Sequence, residues 1–152
     1  MCMAHERKCS CGRRSASFHF KHNIMPERVV KNVYCPDCSC SIAFDPERMI
    51  VDNGWIIEYD MDIAVFAGRE IASSGIITPA FLFDKGYCTW NGVYPCDHAE
   101  SAKEREELVA LAKVAPLRYL EEIKIWAIRR AHRLRAEGWR KAVNGDSGDK
   151  DR

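Results

Sequence analysis

Two pairs of cysteines close to the N-terminus constrain this chain more than any other feature. Cys9-Ser10-Cys11 is followed, after 23 residues, by Cys35-Pro36-Asp37-Cys38. Four thiolates in two close pairs suit a tetrahedral centre. Zinc accepts sulfur readily and makes no redox demands, so it is the expected metal. An iron–sulfur cluster is the alternative, since four thiolates also suit iron. Each pair belongs on a tight turn, with backbone N–H groups aimed at the sulfurs to offset their charge. Gly12 and Pro36 are turn residues suited to that task. Haem attachment through C-x-x-C-H is excluded, because Ser39 follows Cys38. A thioredoxin-like redox pair at Cys35 and Cys38 is disfavoured, since no helix-forming run follows at once. Cys40 is an alternative ligand that leaves the choice among 35, 38 and 40 open, and Cys2 reads as a bystander.

Between the pairs, Ser15–Phe20 alternates as a strand does, and so does Val29–Tyr34. Residues 21–28 carry Pro26 and polar side chains and read as the connecting loop. Two cysteine knuckles joined by a β-hairpin resemble the zinc-ribbon superfamily. Tyr34-Cys35-Pro36-Asp37-Cys38 matches that family's CPxC turn. The first knuckle departs from the family pattern, because one residue rather than two separates Cys9 from Cys11. The resemblance covers about residues 7–42. It implies a structural metal held by Cys9, Cys11, Cys35 and Cys38, and little about activity. His19 and His22 lie on the same hairpin. His19 falls opposite Phe18 and Phe20 and is expected to face solvent.

The chain has 152 residues, 47% hydrophobic and 30% charged, enough to bury a core without disulfides. No run of 18 apolar residues exists, so a membrane span is not expected. The opening MCMAHERKCS lacks an apolar core, so a secretory leader is not expected either. The reducing cytoplasm is then the expected compartment.

The middle of the chain reads as mixed. Arg48–Val51, a turn over Asp52-Asn53-Gly54 and Trp55–Tyr59 make a hairpin. Asp60 or Asp62 would cap a helix running to Ala72, closed by Ser73-Ser74-Gly75. Thr78-Pro79 opens a short helix over Ala80–Phe83, with Gly86 closing it. The segment from Tyr87 to His98 reads as an aromatic, cysteine-bearing loop. There Cys88, Cys96 and His98 would supply three ligands to a second metal, with Asp97 as a carboxylate that supports a ligand or as a general base. The plainer alternative is two buried cysteines, a histidine at a helix start and Asp97 as N-cap. Asp52, Glu58, Asp60 and Asp62 fit no calcium-loop spacing and read as caps or a solvated acidic face.

From about residue 98 the pattern is helical. Leu108, Leu111, Ala112 and Ala115 recur at helical spacing, and Pro116 kinks one helix or opens a second. Leu120, Ile123, Ala127, Ala131 and Leu134 form another apolar line. The net charge of +1 conceals +3 over residues 1–48, −5 over 49–98, +4 over 99–143 and −1 thereafter. The basic stretch holds Trp126, Arg129, Arg130 and Arg133. Such a helix would dock on a partner protein, on RNA or DNA, or less readily on an anionic membrane. The bland alternative is a solvated face balanced by the acidic middle. The final residues lack apolar content and read as a disordered tail.

No glycine-rich phosphate loop, G-x-S-x-G elbow or HExxH helix is present. The expected architecture is α+β: a zinc ribbon over residues 1–45, an α+β and helical domain over 46–143, and a tail over 144–152. The expected function is that of a zinc-ribbon accessory or adaptor protein. A metal-dependent enzyme or redox subunit using Cys88, Cys96 and His98 is the alternative.

Overall fold

The computed structural model describes residues 5–21, 24–69 and 75–144. They fall into two compact units, one ending at Asn91 and the other beginning at Gly92. The first contains β1 (His5–Lys8), β2 (Ser15–Phe20), β3 (Val30–Tyr34), α1 (Pro36–Ser39), β4 (Met49–Asp52), β5 (Trp55–Tyr59), α2 (Met61–Ala67), α3 (Pro79–Asp84) and β6 (Cys88–Trp90). The second contains α4 (Asp97–Ala112), α5 (Pro116–Glu137) and α6 (Arg140–Asn144). The α+β class holds.

The first unit has two antiparallel three-stranded sheets, ordered β1-β2-β6 and β3-β5-β4. Both strands expected between the cysteine pairs are present, but they do not pair with each other. β2 lies between β1 and β6, with Phe18 opposite Trp90 and Phe20 opposite Cys88. β3 pairs with β5, so that sheet runs across residue 45. The physical reason is the aromatic face of β2. A two-stranded ribbon has nothing large enough to cover Phe18 and Phe20, whereas β6 brings Trp90 to 5.2 Å from Phe18. β1 and β6 had no sequence signal as strands. β6 in particular sits inside the segment expected to be a loop.

Trp90 is wholly buried and also meets Trp55 and Phe83 edge-on, each with its centroid 6.0 Å away. Its indole Nε1 donates to Asp52 Oδ2 at 2.8 Å. Tyr59 donates its hydroxyl to the carbonyl of Cys88 at 2.7 Å. Glu58 is buried as well, accepting from Asn32 Nδ2 at 2.7 Å and pairing with Arg48 at 3.4 Å. The expected solvated acidic face is thus corrected for Asp52 and Glu58, which serve as buried acceptors for the core. Asp60 does cap α2, accepting from the Ile63 N–H at 3.3 Å. Thr78 caps α3 by accepting from Phe81 N–H at 3.1 Å. The expected extension of α2 to Ala72 is corrected: the helix ends at Ala67, where Gly68 caps it by donating its N–H to the Ala64 carbonyl; Ser73 and Ser74 lie outside the described residues.

β4 and β5 are joined by Asn53-Gly54, with φ of 47° and 87°. Positive φ at both positions is the signature of a primed hairpin turn, whose twist matches that of the strands. A β-carbon on Gly54 would also lie 3.1 Å from Pro36 Cβ. Gly54→Ala is expected to lower the stability of the first unit by about 1 kcal/mol, from the loss of left-handed freedom. Urea unfolding followed by tryptophan fluorescence measures this; an unchanged midpoint would show that the turn is not strained.

In the second unit Pro116 opens a new helix at its first turn rather than kinking one. Gly138, at φ 88°, closes α5. Along α4 the less exposed residues are Asp97, Ser101, Glu104, Leu108, Leu111 and Ala112; along α5 they are Tyr119, Glu122, Ile123, Trp126, Arg130 and Leu134. This spacing by three or four makes one narrow seam between the helices. The expected apolar line of α5 is therefore split. Ile123 and Leu134 turn into the seam, while Leu120, Ala127 and Ala131 are exposed. Among the described residues no helix is long and apolar enough to cross a membrane. Most of the expected tail, from residue 145, lies outside them, as do Cys2 and His22.

Candidate metal centre

Cys9 and Cys11 stand on the turn that joins β1 to β2. Cys9 N–H donates to the Arg14 carbonyl at 2.9 Å, and Gly12 N–H donates to the Cys9 carbonyl at 2.8 Å. Gly12 has φ 74°, so this reversal is tight. Cys35 follows the end of β3 at Tyr34 and stands immediately before α1, whose first residue is Pro36. Cys38 N–H and Ser39 N–H both donate to the Cys35 carbonyl, at 3.0 and 2.9 Å. The result brings Cys9, Cys11, Cys35 and Cys38 together, with their sulfurs all within 4.8 Å of one another. Cys11 Sγ and Cys35 Sγ are 3.8 Å apart. Cys9 and Cys35 are buried, and Cys11 and Cys38 are partly so. Four such cysteines could hold a metal ion, and the cluster fits a zinc-ribbon-like motif.

The backbone prepares these sulfurs for negative charge. Cys35 N–H donates to Cys9 Sγ at 3.2 Å, and Arg13 N–H donates to Cys11 Sγ at 3.5 Å. Burial alone would push the Cys9 thiol up. Hydrogen bonds from the backbone of Cys11 and Cys35, and from neighbouring thiols, overcome it and bring Cys9 down to about 6. Cys11 is lowered by the Arg13 N–H against the opposing effect of burial. Cys38 is raised to about 12, because it shares hydrogen bonds with Cys9, Cys11 and Cys35 and therefore keeps its proton. Metal binding must displace that proton. Affinity is accordingly expected to rise with pH across the neutral range, since a proton competes at Cys38. It should fall more steeply below about pH 6, where Cys9 also protonates. A chelator competition series from pH 5 to pH 8 checks the sign, and a flat profile would contradict it.

Cys40, the alternative ligand, is set aside. It is exposed, it donates to the Pro36 carbonyl at 3.4 Å, and it lies outside the four-sulfur cluster. Among the described residues no second group of three His, Cys, Asp or Glu ligands forms. Cys88, Cys96 and His98 are thus not brought together as a site. Cys88 is wholly buried in β6, where burial pushes its thiol well above the ordinary range. Cys96 and His98 are exposed. His19 alternates with Phe18 and Phe20 as expected, on the less buried face of β2.

The expected docking residues of α5 divide. Arg129 and Arg133 are exposed. Arg130 is not available as a docking cation: it pairs with Asp97 and donates from Nε to Ser101 Oγ at 3.1 Å. Asp97 is only 1% exposed, and it also accepts from Val93 N–H and Ser101 Oγ, each at 2.7 Å. Burial pushes its carboxyl up, but the Arg130, Ser101 and Val93 hydrogen bonds outweigh this and hold it below the usual range. Gly92 makes room for the carboxylate, since a β-carbon there would lie 2.7 Å from Asp97 Oδ2. Asp97 was expected as an N-cap or a general base; it is instead the anchor that ties the start of α4 to α5. Trp126 is also engaged, donating from Nε1 to Glu104 Oε2 at 2.6 Å. Around it runs an open groove of ≈ 560 Å³ whose charged lining is Glu104, Glu107 and Glu122 with Arg129, Arg130 and Arg133. Within this groove three acidic groups therefore stand against three basic ones.

Comparison with known protein families, with curated proteins and with solved structures finds no match. Fold and site alone define the class: an α+β chain with a four-cysteine, zinc-ribbon-like centre.

Proposed function

We propose that the chain is a zinc-ordered accessory protein, not an enzyme, and that its helical unit docks on a partner protein. The observation that carries this reading is the convergence of Cys9, Cys11, Cys35 and Cys38 within 4.8 Å. Zinc suits the donor set better than iron, because a closed tetrahedron of thiolates needs no redox partner and leaves no position for substrate. A closed site orders structure: here it would clamp the β1–β2 turn to the turn that opens α1. A reducing compartment such as the cytoplasm suits reduced thiols. For docking, Arg129 and Arg133 remain the residues to use, in a groove that mixes three acidic and three basic groups. Mixed charge suits a protein surface better than the uniform negative charge of a phosphate backbone.

Cobalt substitution tests the metal assignment. One equivalent of Co²⁺ should give the strong visible bands of a tetrahedral thiolate site, and one equivalent of zinc should abolish them. Iron with its own visible absorbance in freshly purified protein would overturn the zinc reading. For the partner class, no binding to RNA or heparin at low salt is expected. Binding that falls steeply with salt, and with Arg129→Glu and Arg133→Glu, would reassign the docking surface to nucleic acid.

A further inference from the structure

The seam with α4 uses one side of α5 and leaves a second apolar stripe on the other. Leu117 is 80% exposed, Leu120 57%, Ile125 42% and Ile128 59%. At 100° per residue these four, with Glu121 and Lys124, occupy one continuous face of the helix, turned away from Trp126 and Arg130. Four large aliphatic side chains on one helix face are not surface noise, and such a patch marks an interaction site.

The charges on this face select the occupant. We propose that α5 packs antiparallel against α5 of a second copy of this chain, about a two-fold axis between residues 122 and 123. Leu117 then lies level with Ile128 of the second copy, and Leu120 lies level with its Ile125. At the centre Glu121 lies level with Lys124 of the second copy, and by symmetry the pair occurs twice. A self-complementary patch is what a two-fold contact requires. A parallel pairing would instead set Glu121 beside Glu121 and Lys124 beside Lys124, so the same charges that favour the antiparallel register oppose the alternative. Both side chains are exposed and available for this. The stretch from Leu117 to Ile128 covers about 17 Å of helix. That is less than a standard-sized interface, so the dimer is a weak, reversible one. The groove holding Arg129 and Arg133 borders this face at Ile125 and otherwise lies toward α4.

Sedimentation equilibrium of the full chain, from about 1 to 200 μM, reads this directly. A monomer–dimer equilibrium is expected. Lys124→Glu places four carboxylates at the axis and should weaken dimerisation at least about tenfold. The double variant Glu121→Lys with Lys124→Glu restores opposite charges across the axis and should recover the wild-type constant to within about twofold. Helical circular dichroism should be the same in all three, because neither residue belongs to the seam. A monomer at every concentration would overturn the proposal. So would a dimer indifferent to Lys124→Glu, or a double variant as weak as the single one.

Discussion

Cys35→Ser is expected to abolish stoichiometric metal binding and to lower the melting temperature of the first unit by roughly 12–24 °C. This corresponds to a loss of about 3 kcal/mol. Cys35 is the most buried of the four cysteines, and its own backbone N–H holds Cys9 Sγ at 3.2 Å. Replacing its sulfur removes one corner of the cluster and presents a hydroxyl that zinc binds poorly at such a site. The unit should remain folded at low temperature, because Trp90, Phe18, Trp55 and Phe83 form a core that owes nothing to the metal. What should melt first is the pair of turns around residues 9–14 and 35–40. Differential scanning calorimetry with and without a chelator checks this. If the chelator lowers the wild-type transition and leaves that of Cys35→Ser unmoved, the stability lost is that of the metal. Stoichiometric zinc retained by Cys35→Ser would mean that the ligand set is wrong.

The second large effect belongs to the helical unit. Arg130→Ala is expected to destabilise it by about 3 kcal/mol, because the buried carboxylate of Asp97 loses its paired guanidinium and keeps only the more distant charge of Lys141. Arg129→Ala and Arg133→Ala should each stay within about 0.5 kcal/mol, since both side chains are exposed. Three arginines that look alike in sequence therefore separate several-fold in free energy. Thermal melts at 222 nm measure the difference. Equal, small effects for all three would show that Asp97 and Arg130 do not hold the helices together. The contrast also matters for any docking experiment, because a lost interaction in an Arg130 variant would report unfolding rather than recognition.

These cases indicate which parts of the molecule can be read from residues in order. Local chemistry is legible. The Cys9–Cys11 and Cys35–Cys38 spacing, the Asn53-Gly54 turn and the Thr78 cap each depend on a few adjacent residues and are present as expected, and the structure takes one of the two readings open at each of Asp60 and Pro116. Pairing across long separations is not legible. Phe20 meets Cys88, and Trp90 meets Asp52, only because two sheets share one aromatic core. β6 has three residues, too few for an alternating pattern to emerge. β1, with the sequence HERK, is polar enough to pass for a loop. Acidic residues mislead for a related reason. Asp52 and Glu58 look solvated, and Asp97 looks like a helix cap, until Trp90, Asn32 and Arg130 arrive from distant positions to satisfy them. One signal was available for Asp97: Gly92 five residues earlier, where only a missing side chain leaves room for the carboxylate.

Native mass spectrometry of protein purified without added metal, combined with alkylation of the intact chain, puts the four-cysteine centre to its sharpest test. The expected mass exceeds that of the bare chain by one zinc ion per molecule. Cys9, Cys11, Cys35 and Cys38 should resist alkylation, while exposed Cys40 and Cys96 react. Buried Cys88 should stay unmodified until the protein unfolds. A metal-free mass, with Cys11 and Cys38 alkylated as readily as Cys40, would contradict a metal centre at this site.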